Sequence, residues 1–449
     1  MAKKIVRPIL TYADEAHHVP ADTYQKVMKH FTPKLWLGMT ATPDKRDDNI
    51  EGRNVYELFD HQIAYEIRLQ QAMEENLLCP FHYFGITDLA IIGDDEEASR
   101  DFSVLTSDER VKHIINEADY YGYSGDKVKG LIFCSSIKET EELSEKFNHM
   151  INPSTGQKFR TIALNGSASE QERQNAFERL AMNKEDATAD HEPLDYIFSV
   201  EILNEGVDIV EVNQVIMLRP TQSPIVFIQQ LGRGLRKAYG KEYVVILDFI
   251  GNYNNNFLIP IALSGDRTYN KDNVRKYVRE GARVIPGSST IHFDETTKKK
   301  IFESIDKMTT TKRMLTEKYN QVKYKLGRIP TILDFYKLGE IDPMLFIKYA
   351  KTYDSFLRIV DKDYNITFTD KEEQILAFVS ALIIDGKRPH ELLMLKMMLE
   401  GTNIEENTFA EQLSNIGEKF KKTDYDSAIR IINLDFVTGS DATKFSDIE

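Results

Sequence analysis

From residue 128 to residue 249 short apolar runs alternate with stretches of helical periodicity, and few folds accommodate that order. Five runs read as strands, over 128–134, 160–164, 196–200, 214–218 and 243–249. Two helix starts between them carry a hydroxyl with a glutamate three residues on, Ser136 with Glu139 and Ser169 with Glu172. Each pair can satisfy first-turn N–H groups reciprocally. The first helix shows Leu143, Phe147 and Met150 on one face, and the second runs through Phe177 and Leu180. A further helix is expected over 225–236. Strands separated by helices of this length need crossover connections, which specifies an α/β fold with a mostly parallel, doubly wound sheet.

The first sixty residues abbreviate the same pattern. An apolar run ends at Ala13, a helix is expected over 21–31, and a strand over 34–39 leads into Thr40-Ala41-Thr42-Pro43. Pro8 takes a ladder donor out of the first run. Residues 61–80 hold a helix candidate with Ile63, Ile67 and Met73, and 81–92 read as a strand containing Gly85. After about residue 265 the period becomes helical. Ile301, Ile305, Met308, Leu315, Tyr319, Val322 and Leu326 lie three, four or seven apart, and Leu345, Phe346, Tyr349, Tyr353, Phe356 and Leu357 repeat the pattern. Further helices are expected over 372–384, 390–400 and 408–420, and these stripes read as core. The expected organisation is a first α/β lobe over 1–60, a connecting segment over 61–106, a second lobe over 107–262 and a mainly helical region over 263–449.

Composition excludes several classes. The only cysteines, Cys79 and Cys134, are far apart, so neither a disulfide framework nor a cysteine-rich metal site is written here, and a reducing cytoplasmic setting fits. No apolar run reaches membrane-spanning length, so no membrane partner is expected. The formal charge of −14 argues against coating nucleic acid through net charge, while leaving room for a local basic groove.

Four segments carry candidate chemistry. Asp14-Glu15-Ala16-His17 follows the first apolar run. At a strand mouth one acid can hold Mg²⁺ through water, the next can orient an attacking water, and the histidine can sense the result. Taken alone, those four residues also fit a solvated turn. Thr40-Ala41-Thr42 supplies small hydroxyls that can bond the acidic turn. In Asn204-Glu205-Gly206-Val207-Asp208, Gly206 permits close backbone approach and Asp208 can accept from a ribose hydroxyl. In Gln229-Gln230-Leu231-Gly232-Arg233-Gly234-Leu235-Arg236, the two arginines would share a helical face and could grip a γ-phosphate. His17, His18 and Glu15 are adjacent and do not match a zinc motif.

In order and spacing these segments resemble motifs II, III, V and VI of superfamily 2 helicases and translocases, and Leu131-Ile132-Phe133-Cys134-Ser135-Ser136 resembles motif IV. Arg219-Pro220-Thr221, Ser223-Pro224 and Gly327-Arg328-Ile329-Pro330 are similar to a bacterial DEAD/DEAH-box group with a helical region after the motor lobes. The resemblance implies RecA-like lobes, the first partial and the second complete, that hydrolyse ATP with Mg²⁺ between them and act on nucleic acid, DNA before RNA. It implies that Asp14 holds Mg²⁺ through water, Glu15 positions the hydrolytic water and His17 couples to Gln229. Thr40 and Thr42 would link hydrolysis to strand movement, Gly206 and Asp208 would meet the nucleotide, and Arg233 and Arg236 the γ-phosphate. Ser135 and Ser136 would lie near the nucleic-acid backbone. Where such motors often place a threonine ahead of motif V, this chain has Val200, with Ser199 beside it.

The phosphate-cradling Gly-x-x-x-x-Gly-Lys-Ser/Thr is absent: Gly240-Lys241 is followed by Glu242, and Gly386-Lys387 by Arg388. Only thirteen residues precede Asp14, and the expectation is a first lobe without its phosphate-binding loop. The chain alone is then expected to be inactive, with an upstream-encoded fragment carrying the loop as a partner. The alternative is a non-catalytic scaffold that binds nucleic acid or another partner.

Overall fold

The computed structural model describes residues 10–31, 33–41, 43, 54–89, 102–188, 191–200, 209–221, 223–251, 253–280, 288–386 and 388–435. They belong to two compact units, Met1–Asn49 with Gln62–Thr309, and Ile50–His61 with Thr310–Glu449.

The first unit is α/β and holds two sheets. In the smaller, β1 (Leu10–Ala13) pairs in parallel with β2 (Leu35–Gly38), Leu10 opposite Leu35 and Ala13 opposite Gly38. A parallel pair cannot be closed by a hairpin, and the Asp22–His30 helix makes the crossover. Leu10, Tyr12, Leu35 and Leu37 of these strands, and Tyr24 and Val27 of the helix, remain exposed.

The larger sheet is RecA-like and has seven strands: β3 (Phe81–Thr87), β4 (Gly130–Phe133), β5 (Thr161–Leu164), β6 (Tyr196–Ser199), β7 (Gln214–Met217), β8 (Val244–Ile250) and β9 (Thr290–Phe293). Their order is β5-β6-β4-β7-β8-β3-β9, and every pairing is parallel. β4, β6, β7 and β8 are buried at each residue, which explains why they read as continuous apolar runs rather than as an alternation. Phe147 packs against Phe159, Tyr196 and Phe198 in a core that includes Ile132, Val245 and Phe249.

Both helix starts form where the hydroxyl-to-glutamate pattern puts them. Ser169 and Glu172 make a complete capping box. Ser136 accepts from the Glu139 N–H, but the Glu139 carboxylate turns to the Ser135 N–H at 2.8 Å and to Arg110 at 3.2 Å. β3 arises within 61–106 and β9 within 263–449, and both belong to this sheet. β9 had no sequence signal: four residues show too little periodicity, and its place is set by Phe81 N–H donating to Ser289 Oγ and Thr87 N–H to Asp294 Oδ2. The helix candidate over 61–80 shortens to Leu69–Glu74.

Every regular element among the second unit's described residues is a helix. The Lys312–Leu326 helix stops at Gly327, whose φ of 66° is left-handed. Arg328 then forks onto Asp334 at 2.7 and 2.8 Å, and Asp334 completes the capping box of Thr331. Leu315, Tyr319, Val322, Phe335, Phe346 and Phe356 form one core, and Met394, Met397, Phe409, Leu413 and Ala428 a second. His61 Nδ1 donates to the Tyr324 carbonyl at 2.7 Å, tying the 54–61 segment to this unit.

One buried acid gives the sheet a pH signature. Tyr83 on β3 donates to Oδ2 of Asp248 on β8 at 2.6 Å. Burial pushes the Asp248 carboxyl up to about 7 from its ordinary 3.8. The folded protein holds this proton more tightly than the unfolded chain does. The resulting stability is present in full below about pH 4 and is lost as pH rises through about 7. Asp248→Asn, which keeps an acceptor for Tyr83, is expected to flatten stability across that window, measured by urea unfolding at several pH values.

Candidate nucleotide and nucleic-acid site

The acidic turn is pinned between the two short strands. Met39 N–H donates to Ala13 O and Ala16 N–H to Met39 O, both at 2.9 Å. Glu15 takes a left-handed backbone, φ 46° and ψ 51°, which is uncommon for a residue with a Cβ. Asp14 accepts the Glu15 N–H at 3.0 Å. His17 is buried, with Nδ1 2.9 Å from Thr40 Oγ1 and 3.4 Å from Glu15 Oε2. The structure thus brings Asp14, Glu15, His17 and Thr40 into one cluster. Asp14 is exposed, which suits a cation held through water. Among the described residues no group of three His, Cys, Asp or Glu side chains could hold a metal directly. A hollow of about 480 Å³ opens beside Asp14, but Val19, Val27, Met28, Phe31 and Trp36 wall it. No lysine or arginine lines it, so it offers no cation for phosphates.

The C-terminal ends of the large sheet gather a second group. Ser135 follows β4, and Ser136 caps the next helix. Ser199 ends β6, its hydroxyl buried and without a hydrogen-bond partner among the described residues. Arg219, just beyond β7, donates from Nη1 to Val200 O at 3.2 Å. With the Gln230 amide oxygen turned toward it, Arg219 also donates from Nη2 at 2.6 Å and Nε at 3.0 Å. Behind Ser135 lies a buried ion cluster. Arg110 forks onto Asp88 at 2.8 Å through Nε and Nη2, and reaches Leu105 O at 2.6 Å through Nη1. Burial opposes the guanidinium charge, and Asp88 and Glu139 outweigh it. Burial pushes the Glu139 carboxyl up, with Arg110 opposing.

The arginine segment differs from its sequence reading. The helix is Pro224–Gly232, so Arg233 and Arg236 sit on the turn that follows and not on a shared helical face. A Cβ on Gly234 would lie 2.8 Å from Val244 Cγ1 and 3.2 Å from Val215 Cγ2. Only glycine allows the chain to turn this close to the starts of β7 and β8. Gly234 N–H donates to Leu231 O and Leu235 N–H to Gly232 O, both at 3.1 Å, and Cys79 N–H donates to Leu235 O at 2.7 Å. The arginine turn therefore lies by the N-terminal ends of β7 and β8, while Arg219 lies beyond the other end of β7 and Ser199 at the C-terminal end of the parallel strand β6. Gln229 is half-buried in the last helical turn. Thr42, Gly206 and Asp208 lie outside the described residues.

Sequence reasoning did not find Asp88, Arg110 or Lys241. Single charged residues outside any repeat carry no motif, and most of their partners are remote in sequence.

Known proteins match this arrangement segment by segment. Residues 109–238, from the helix before β4 to the arginine turn, match the helicase conserved C-terminal domain. Residues 7–45, which contain the acidic turn and Thr40, match the type III restriction enzyme res subunit. These two segments match, in order, the parts of a superfamily 2 helicase. Residues 315–449 match a domain of unknown function (DUF8090). The chain is 23% identical over 250 residues to "Putative ATP-dependent helicase IRC3" of Saccharomyces cerevisiae, covering 54% of this chain and 34% of that protein. It is 21% identical over 250 residues to a 51.5 kDa protein of Lactococcus phage (isolate 7-9), covering 55% and 50%. The matched region thus spans a third to a half of these relatives. A solved structure, the ATP-dependent type ISP restriction-modification enzyme LlaBIII bound to DNA, aligns at 15% identity and a TM-score of 0.41, covering 94% of this chain and 33% of that one. No helix of the described residues is long and apolar enough to cross a membrane.

Replacing Arg110 by Met leaves two buried carboxylates without their cation. It is expected to cost about 3–5 kcal/mol of stability, measured by denaturant unfolding.

Proposed function

We propose that this chain is part of an ATP-dependent translocase that tracks along nucleic acid, DNA before RNA. The observation that carries the reading is the lock between the acidic turn and Thr40, His17 Nδ1 to Thr40 Oγ1 at 2.9 Å. A histidine buried between a candidate water-positioning glutamate and a strand-end hydroxyl can pass a change at Glu15 into β2. Bound ATP and Mg²⁺ would supply the phosphoryl group and neutralise its charge. Asp14 would face the metal through water, and Glu15 would orient the attacking water. Arg233 and Arg236, on a turn held at the start of β7 and β8, would approach the γ-phosphate from the second lobe. Asp208, and Gly206 beside it, would meet the nucleotide. Ser135, Ser136 and Ser199 lie at or beside the other ends of the strands, where a nucleic-acid backbone could pass without competing for the nucleotide.

None of the 449 residues supplies Gly-x-x-x-x-Gly-Lys-Ser/Thr, so the α- and β-phosphates lack the usual backbone cradle. We expect little ATP turnover from the purified chain, and restored turnover on adding a polypeptide that carries that loop. Robust turnover by the chain alone, stimulated by single-stranded DNA, would overturn this part of the reading. Arg233→Ala is expected to weaken binding of a fluorescent ATP analogue about tenfold or more, as for the loss of a charge-assisted contact. Nucleic-acid binding that persists unchanged while wild type and Arg233→Ala both ignore nucleotide would favour the scaffold reading.

A further inference from the structure

The turn that carries Arg233 and Arg236 is held from behind by one lysine. Lys241 Nζ donates to the carbonyls of Val210, Val212 and Gly234, the last two at 3.0 and 3.1 Å. An ammonium has three hydrogens and no acceptor, so all three are spent on backbone oxygens. Val210 and Val212 belong to the stretch that leads from Asp208 to β7, and Gly234 lies between the two arginines. One side chain thus joins the exits of the two segments expected to meet the nucleotide.

We propose that Lys241 is a positioning residue: its half-buried ammonium sets the spacing between the Val210–Val212 backbone and the Arg233–Arg236 turn, so that both can address one nucleotide. This rests on the nucleotide reading above. Gly240-Lys241 is no phosphate loop. Its lysine works on protein carbonyls and touches nucleotide only through the residues it holds.

The local environment makes the staple sensitive to pH. Burial pushes the Lys241 ammonium down to about 8, while Glu211 favours its charge. Burial also pushes the Cys79 thiol up, with Lys241 and Lys237 opposing, so the thiol does not ionise ahead of the lysine. Above about pH 8 the neutral amine has two hydrogens for three carbonyls. Linkage has the opposite sign. The folded protein binds this proton less tightly than the unfolded chain, so the group adds to stability as pH rises from about 8 toward the ordinary lysine value. A purely structural role would let local order follow global stability upward. A positioning role predicts that the two diverge.

Hydrogen–deuterium exchange of the full chain, corrected for intrinsic rates, tests this. Lys241→Met is expected to speed exchange roughly tenfold in peptides covering 209–213 and 233–236 together, while β8 stays protected, on the scale of a lost charge-assisted hydrogen bond. Lys241→Arg, which keeps its charge at all accessible pH, should restore protection. In wild type the same two peptides should loosen between pH 7 and 9, and in Lys241→Arg they should not. If Lys241→Met leaves either peptide at its wild-type rate, or loosens β8 equally, the staple is wrong. Binding of a fluorescent ATP analogue separates the two claims. If Arg233→Ala weakens it and Lys241→Met does not, the positioning claim fails. If Arg233→Ala has no effect, or wild type binds none, the nucleotide reading fails and exchange still decides whether Lys241 is a staple.

Discussion

The all-parallel ladder of the large sheet is the constraint on which the rest depends. Parallel strands cannot be joined by tight hairpins, so each connection must cross a face. That places every strand's C-terminal end on one edge and every N-terminal end on the other. Ser135, Ser199 and Arg219 share the first edge because they follow or end β4, β6 and β7. The arginine turn and Lys241 share the second because they precede β8. The first edge is the carboxyl-end edge, where ligand sites of open α/β sheets gather; the arginine turn lies on the opposite one.

Charge is used sparingly inside this framework. Arg110 is fully buried and spends its donors on Asp88, Glu139 and the Leu105 carbonyl. Such a cluster adds little net stability over an apolar replacement, yet it is costly to break. Its geometric consequence is local. Glu139 holds the Ser135 N–H, so the loop after β4 is tied to the end of β3 through a guanidinium. Lys241 does comparable work at the opposite edge with carbonyls as partners. In both places a cation links backbone segments that are distant in sequence but must keep a fixed spacing.

The small sheet pairs two strands among the described residues. β1 and β2 expose apolar residues, yet their turn is fully organised. Ala13, Ala16 and Met39 exchange backbone bonds, and His17 sits buried against Thr40. The chemistry of the turn is thus specified by contacts only a few residues long on each strand.

The amino-acid sequence by itself determined the fold class, the two capped crossover helices, the helical C-terminal region and the pairing of the acidic turn with Thr40. Each rests on local periodicity or on motifs whose partners lie in a known order. Tertiary structure alone decided the rest. β9 is too short to show a period, and its register comes from Ser289 and Asp294 meeting β3. The helix before Arg233 ends early because Gly234 must pass within van der Waals contact of Val215 and Val244, strands apart in sequence. Arg110 and Lys241 gain their roles from carboxylates and carbonyls that only the folded chain brings to them. A single charged residue carries no periodic signal, whereas a repeated apolar one does.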